Sequence, residues 1–255
     1  MKKLGITACM LLALSSTAAL ADNHTSGIVQ VFGCSLNDGR SMLDAREILR
    51  DLAANAAASE NSDPRFGMFV WLPVRGASDA DFVFGVLNSD LRTMAAGSAA
   101  FAATEFGQDL QERMRSTADC ESGIMASNQI ADGNIGMTAD TEIDAIVETF
   151  RCDIRDGSDA GDINAAIKNW QNGLESIESE ALDNYDAYVW WPIRGGPGND
   201  FYWVGNAPSM EAWGNGLQDY MDSEAGQKAQ TRFDAHSRCV SNLWAGYWLY
   251  APEEF

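Results

Sequence analysis

The stretch Val70-Trp71-Leu72-Pro73-Val74-Arg75-Gly76 returns further along the chain as Val189-Trp190-Trp191-Pro192-Ile193-Arg194-Gly195. In each copy Asp-Phe follows at the same distance, as Asp81-Phe82 and Asp200-Phe201. Working outward, Cys34, Asp38-Gly39 and Asp44 correspond to Cys152, Asp156-Gly157 and Asp162, and Cys120 corresponds to Cys239. Self-similarity of this length marks a duplicated unit. The chain reads as a tandem of two repeats, residues 27–131 and 145–251, joined by a linker over 132–144 that is rich in Gly and polar residues.

Both repeats carry the same succession of patterns. Ile28-Val29-Gln30-Val31-Phe32 and Ile146-Val147-Glu148-Thr149-Phe150 read as strands that lead to a cysteine and an Asp-Gly turn. A helix follows, with Asp162 as N-cap and Ile163, Ile167, Trp170, Leu174 and Ile177 at helical spacing; its twin begins at Asp44. The Val-Trp-x-Pro segment is a second strand, the Arg-Gly piece a turn, and Asp-Phe opens a third strand. Ser89 and Ser209 are placed to cap a second helical region, broken at Gly97 and Gly216, and a last strand follows Cys120 and Cys239. The order βαββαβ, given twice, is the ferredoxin-like arrangement.

In that arrangement the fourth strand runs antiparallel beside the first, so its start meets the end of strand one. The within-repeat pairings Cys34–Cys120 and Cys152–Cys239 are therefore the short ones. A metal site is the competing use of four cysteines, but no C-x-x-C pair occurs. The compartment agrees with disulfides: Met1-Lys2-Lys3, an apolar run to Leu14 and Ala19-Leu20-Ala21 read as a secretory signal over residues 1–21. Cys9 lies inside the apolar run, without the small-residue context of a lipidation site. The expected product is a soluble periplasmic or secreted protein with no membrane span. With 37 acidic against 17 basic residues and a formal charge of −20, it lacks the clustered Lys and Arg that nucleic acid rewards.

In Phe66-Gly67-Met68-Phe69-Val70-Trp71-Leu72 and Ala187-Tyr188-Val189-Trp190-Trp191 both alternating sets of side chains are apolar. The repeat's own helices cover one face, and the other needs a partner sheet, which the second repeat supplies. Here the sequence resembles the dimeric α+β barrel superfamily, as a fused tandem. The expected fold is thus α+β, two ferredoxin-like repeats packed sheet to sheet as a pseudo-dimeric barrel. The resemblance implies a range of functions: cofactor-independent monooxygenases, haem-binding enzymes and proteins without catalysis.

The residues themselves offer few reactive groups. His24 and His236 are the only histidines, so His236 is the one helical candidate for a haem ligand, and no Ser/His/Asp arrangement is visible. Arg75 and Arg194, with Asp81 and Asp200, read as pairs across the hairpin turn, with Arg194 also a candidate anchor for a carboxylate. Asp153, Asp156, Asp159 and Asp162 form an acidic loop that either binds Ca²⁺ or leads into a helix N-terminus; the EF-hand spacing is absent, and no metal or other cofactor is assigned.

Seven of the eight tryptophans lie in the second repeat, where the first carries Leu52, Trp71, Leu72, Phe84, Met94, Met125 and Gln129 at corresponding positions. Core packing needs no such bias, whereas a rigid indole with one N–H suits the wall of a pocket. The expected function is binding of a small apolar or aromatic ligand by Trp190, Arg194, Tyr202, Trp203 and Trp213, in a relative of the barrel monooxygenases. The rival is a non-catalytic cell-envelope protein that turns its aromatics toward a protein partner.

Overall fold

The computed structural model describes residues 26–58, 63–76, 80–133, 145–196 and 198–251. The signal segment 1–21, His24 and all of the linker except Asp132 and Gly133 lie outside the described residues. The first half of the molecule comprises β1 (Ser26–Leu36), α1 (Met42–Ala58), β2 (Gly67–Gly76), β3 (Phe82–Asn88), α2 (Leu91–Ala102), α3 (Glu105–Thr117) and β4 (Ala118–Ala131). The second comprises β5 (Ala145–Ile154), α4 (Ala160–Leu174), α5 (Glu180–Asp183), β6 (Asp186–Gly195), β7 (Phe201–Ala207), α6 (Met210–Asp222), α7 (Glu224–His236) and β8 (Ser237–Tyr250).

The eight strands close one antiparallel barrel in the order β1-β3-β2-β8-β5-β7-β6-β4. The halves therefore do more than stack face to face: their sheets are hydrogen-bonded edge to edge through β2–β8 and β4–β6, which leaves no open edge. Length makes this geometry. β4 and β8 are 14 residues each, so β8 pairs with β5 over its first part and runs on to pair with β2. The outward side chains at its far end, Tyr247 and Leu249, join the apolar cluster of the first half, and Ile130 near the end of β4 joins that of the second. The cysteines face each other as direct cross-strand neighbours and are bonded, Cys34–Cys120 and Cys152–Cys239, with Cα atoms 4.1 Å apart in both.

Alternation along the strands splits the core into layers. Inward residues such as Val29, Phe69, Trp71, Val147, Trp190 and Trp248 fill the barrel. Outward residues meet the helices, Phe82 and Val70 in the first half and Phe201 and Val189 in the second. Helix α4 presents Ile163, Ala166, Ile167 and Trp170 to that layer, the spacing expected of one helix face.

Four local expectations are corrected. The Arg-Gly piece is not a turn: β2 and β6 run through it, with register shifts at Pro73/Arg75 and opposite Pro192/Arg194, where the proline lacks a donor for the ladder. Gly76 and Gly195 end the strands at φ +120° and +67°, and a Cβ on them would lie 2.5 Å from Asn242 Oδ1 and 2.6 Å from the Ser122 carbonyl oxygen. That close approach requires glycine. Second, Asp162 is not the N-cap of α4: Asp159 caps it, and Asp162 closes a capping box by accepting from the Asp159 N–H. Asp44 likewise accepts from the N–H and hydroxyl of Ser41, just before α1. Third, Asp90 caps α2, whereas Ser209 caps α6 as expected. Fourth, Gly97 and Gly216 lie inside helices; the breaks fall at Thr104 and Ser223, whose hydroxyls cap α3 and α7. An internal glycine weakens a helix by about 1 kcal/mol, but a hydroxyl N-cap starts a new one.

Candidate functional site

The larger cavity, about 240 Å³, lies in the second half, between the outward face of its sheet and helices α4 to α7. Its floor is Glu148 and Phe150 of β5 with Trp203 of β7; Trp170 comes from α4, and Trp213 and Tyr220 from α6. Their placement follows from the strands. Glu148 shares the face of Phe150 and Cys152, and all three point toward the helices by period two. Ser209 starts α6 so that Trp213 falls at the end of its first turn, where the indole Nε1–H donates to Glu148 Oε2 at 3.0 Å. The short α5 closes one side, tied down by Ser179 Oγ donating to Asp219 Oδ2 at 2.6 Å.

The rings form a corner. Trp170 meets Trp203 edge to face at 4.5 Å and 84°, and Phe233 meets Trp203 at 5.5 Å and 85°. Burial raises the Glu148 carboxyl above its ordinary pKa, against the indole bond that lowers it. Burial also raises the Tyr185 phenol, with Glu148 adding to the effect, and pushes Tyr220 up to about 12. Tyr185 reaches over Gly205: a Cβ there would lie 1.7 Å from its hydroxyl oxygen. In the first half the matching rungs read differently. Glu148 pairs with Gly205 across β5 and β7, and Gln30 pairs with Val86 across β1 and β3. There Phe32 and Phe84 stack at 4.3 Å. Exchange of Val for Gly makes room for the phenol, and exchange of Gln for Glu brings the acid.

The five expected site residues are divided by the sheet. Trp203 and Trp213 line the larger cavity. Trp190 and Tyr202 point into the barrel, where Trp190 also lines a smaller cavity of about 50 Å³ and stacks on Trp71 at 5.6 Å. Neighbours on one strand, such as Tyr202 and Trp203, cannot share a face. Arg194 is exposed on β6 and lines neither cavity. Among the described residues no ion pair joins Arg75 to Asp81 or Arg194 to Asp200. Each Asp accepts a backbone N–H instead, from Leu36 and from Ile154, at 2.7 Å in both. The sequence reading missed Glu148, Trp170, Tyr185 and Tyr220. Glu148 left a signal: it is the one acid in the apolar run Ile146–Phe150, two helix-facing steps from Cys152.

The acidic loop is spent on structure. Asp159 and Asp162 cap α4, and Asp153 accepts from Asn199 Nδ2 at 2.9 Å. Among the described residues no group of three His, Cys, Asp or Glu side chains is arranged to hold a metal ion. Among the described residues a haem finds no axial imidazole: His236 ends α7 with Nδ1 3.0 Å from Ser158 Oγ, and no histidine lines either of these cavities. The described residues do not fit a histidine-held haem there.

No protein-family model matches the chain, and no curated protein matches its sequence. Solved structures are similar in fold. A protein provisionally named a monooxygenase, from Fusobacterium nucleatum subsp. nucleatum, aligns at TM-score 0.61 and 10% identity over 89% of this chain and 96% of that one. Another so named, from Lactobacillus acidophilus, aligns at TM-score 0.56 and 11% identity over 89% and 98%. A provisionally named chlorite dismutase aligns at TM-score 0.51 and 13% identity over 86% and 95%. By its closed eight-stranded barrel and these likenesses, the chain has the fold of the dimeric α+β barrel proteins.

Proposed function

We propose that this is an exported protein that binds a small aromatic or apolar ligand in the larger cavity of its second half. The observation that carries the reading is that cavity's wall: about 240 Å³ lined by aromatic rings, Trp170 and Phe233 each set edge to face on Trp203, around one partly buried carboxylate. Apolar walls with few, placed polar groups are what small-molecule sites are made of. The fold is shared with proteins named as monooxygenases, which supports a barrel relative of that kind; burial holding the Glu148 carboxyl above its ordinary pKa is also the kind of perturbation that gathers at functional sites.

The rest of the sequence reading joins this proposal. The recurring motif, matched strand rungs and matched disulfides support a tandem of ferredoxin-like units over 27–131 and 145–251. Two disulfides suit an oxidising compartment, and among the described residues no helix is long and apolar enough to cross a membrane; both agree with a periplasmic or secreted protein released after residue 21. The interaction-protein alternative needs aromatics at the surface. No described tryptophan is exposed, so those residues do not supply such a surface.

The test is titration of the mature protein with a neutral aromatic probe such as N-phenyl-1-naphthylamine, read by tryptophan fluorescence. Saturable quenching that Trp213→Ala abolishes and Trp190→Phe leaves intact supports the reading. The opposite pattern, or no binding, removes it.

A further inference from the structure

We infer that the ligand of this cavity carries a positive charge, as an organic ammonium or a comparable cation, and that Glu148 is its counter-ion. The inference rests on the reading of the cavity as a ligand site and concerns which chemical class fills it.

The lining decides the sign of the charge. No Lys, Arg or His lines the cavity, while two carboxylates do, Glu148 and Asp234. An anionic ligand would meet no cationic partner there and two like charges. The Asp234 carboxylate accepts from Gln230 Nε2 at 2.9 Å, on the α7 side of the wall. Glu148 has one donor, the Trp213 indole, which leaves most of the acceptor capacity of its two oxygens unused. The other titratable groups on the wall, Tyr185 and Tyr220, are held neutral by burial and bring no cation to it.

The aromatic rings point the same way. The faces of Trp and Tyr attract cations, and desolvated contacts of this kind are worth about 2 kcal/mol or more. Trp170, Trp203, Trp213, Tyr185 and Tyr220 all line the cavity around Glu148, with Trp170 and Phe233 each packed edge to face on Trp203. A carboxylate within an aromatic lining suits a quaternary or tertiary amine. The first half provides the contrast: its matching strand position is the uncharged Gln30, and stacked Phe32 and Phe84 fill the place. The formal charge of −20 further concentrates cations near the molecule.

Phenyltrimethylammonium and tert-butylbenzene have nearly the same shape and differ in charge, so they separate this inference from the reading beneath it. Both are titrated into the mature, disulfide-bonded protein, and tryptophan fluorescence is followed. The cation is expected to bind about tenfold or more tightly than its neutral isostere. Its affinity is expected to rise with pH as Glu148 ionises, while that of tert-butylbenzene stays level. Glu148→Gln, which copies the residue of the first half, is expected to reduce the preference by about tenfold and keep the neutral compound's affinity. Should that variant not fold, the pH series on the wild type carries the test. Equal or tighter binding of tert-butylbenzene overturns the cation assignment and leaves the cavity a ligand site. A cation preference that Glu148→Gln leaves undiminished, or that is flat with pH, also overturns it. Binding of neither compound overturns the cavity reading itself.

Discussion

At the scale of single residues, small differences between matching positions turn a packed core into a cavity. Gly205 is the clearest case, because a methyl group there would overlap the Tyr185 hydroxyl. Gly205→Ala is expected to lower stability by roughly 1–3 kcal/mol in urea denaturation, with part of the loss relieved in a Tyr185→Phe background. Asp186 supplies a pH-dependent counterpart. It is 5% exposed and accepts one bond, from the Gly133 N–H at 2.6 Å. Burial, with Asp132 nearby, lifts its pKa from 3.8 to about 6. The folded state thus holds this proton more tightly than the unfolded chain, so its stabilising share is complete below about pH 4 and is lost as pH rises through about 6. Asp186→Asn keeps the acceptor oxygen and is expected to overtake the wild type over that window, by up to about 3 kcal/mol. Parallel denaturation midpoints for the two proteins across the window would contradict this. None of these roles was legible in the sequence. Gly205 and Tyr185 meet only through folding, and Asp186 is one of many acids in an acidic chain.

At the scale of elements, period and register were legible and the ends were not. The strands and helices fall where alternation and helical spacing put them, and the disulfides follow from strand four lying beside strand one. The missed features are those that local chemistry leaves degenerate. Asp159 and Asp162 are both acceptable caps, and only the geometry of α4 makes one the N-cap and the other its reciprocal partner. Asp159→Ala is expected to cost about 1 kcal/mol by urea denaturation, and millimolar Ca²⁺ is expected to leave the wild-type midpoint unchanged, since both carboxylates already bond the backbone. A Ca²⁺-dependent rise in the midpoint would restore the metal reading of this loop. The split of the expected site has the same origin. Tryptophan enrichment pointed to the second half but could not say which face of the sheet each ring took, and Trp190 and Trp203 went to opposite sides.

At the scale of the whole molecule, the halves complete each other. β8 finishes the first half's core with Tyr247 and Leu249, and β4 finishes the second with Ile130, so neither half's helix-facing layer is complete without the other. Residues 140–251 expressed alone are expected to self-associate or aggregate, because the inward Trp190, Trp244 and Trp248 and the free edges of β6 and β8 would be exposed. A stable monomer in sedimentation would contradict the account of closure. The same architecture explains why one cavity lies on the helix side and the other inside the barrel: closure gives each sheet one face toward the packed interior and another toward the helices. The proposed ligand site lies on the helix side of the second half. The most direct check is a crystal of the mature protein soaked with bromobenzene, uncharged and small enough for either cavity, with bromine located by anomalous scattering. The expected peak lies among Trp170, Trp203 and Trp213; a peak confined to the barrel interior beside Trp71 and Trp190, or none at all, would contradict it.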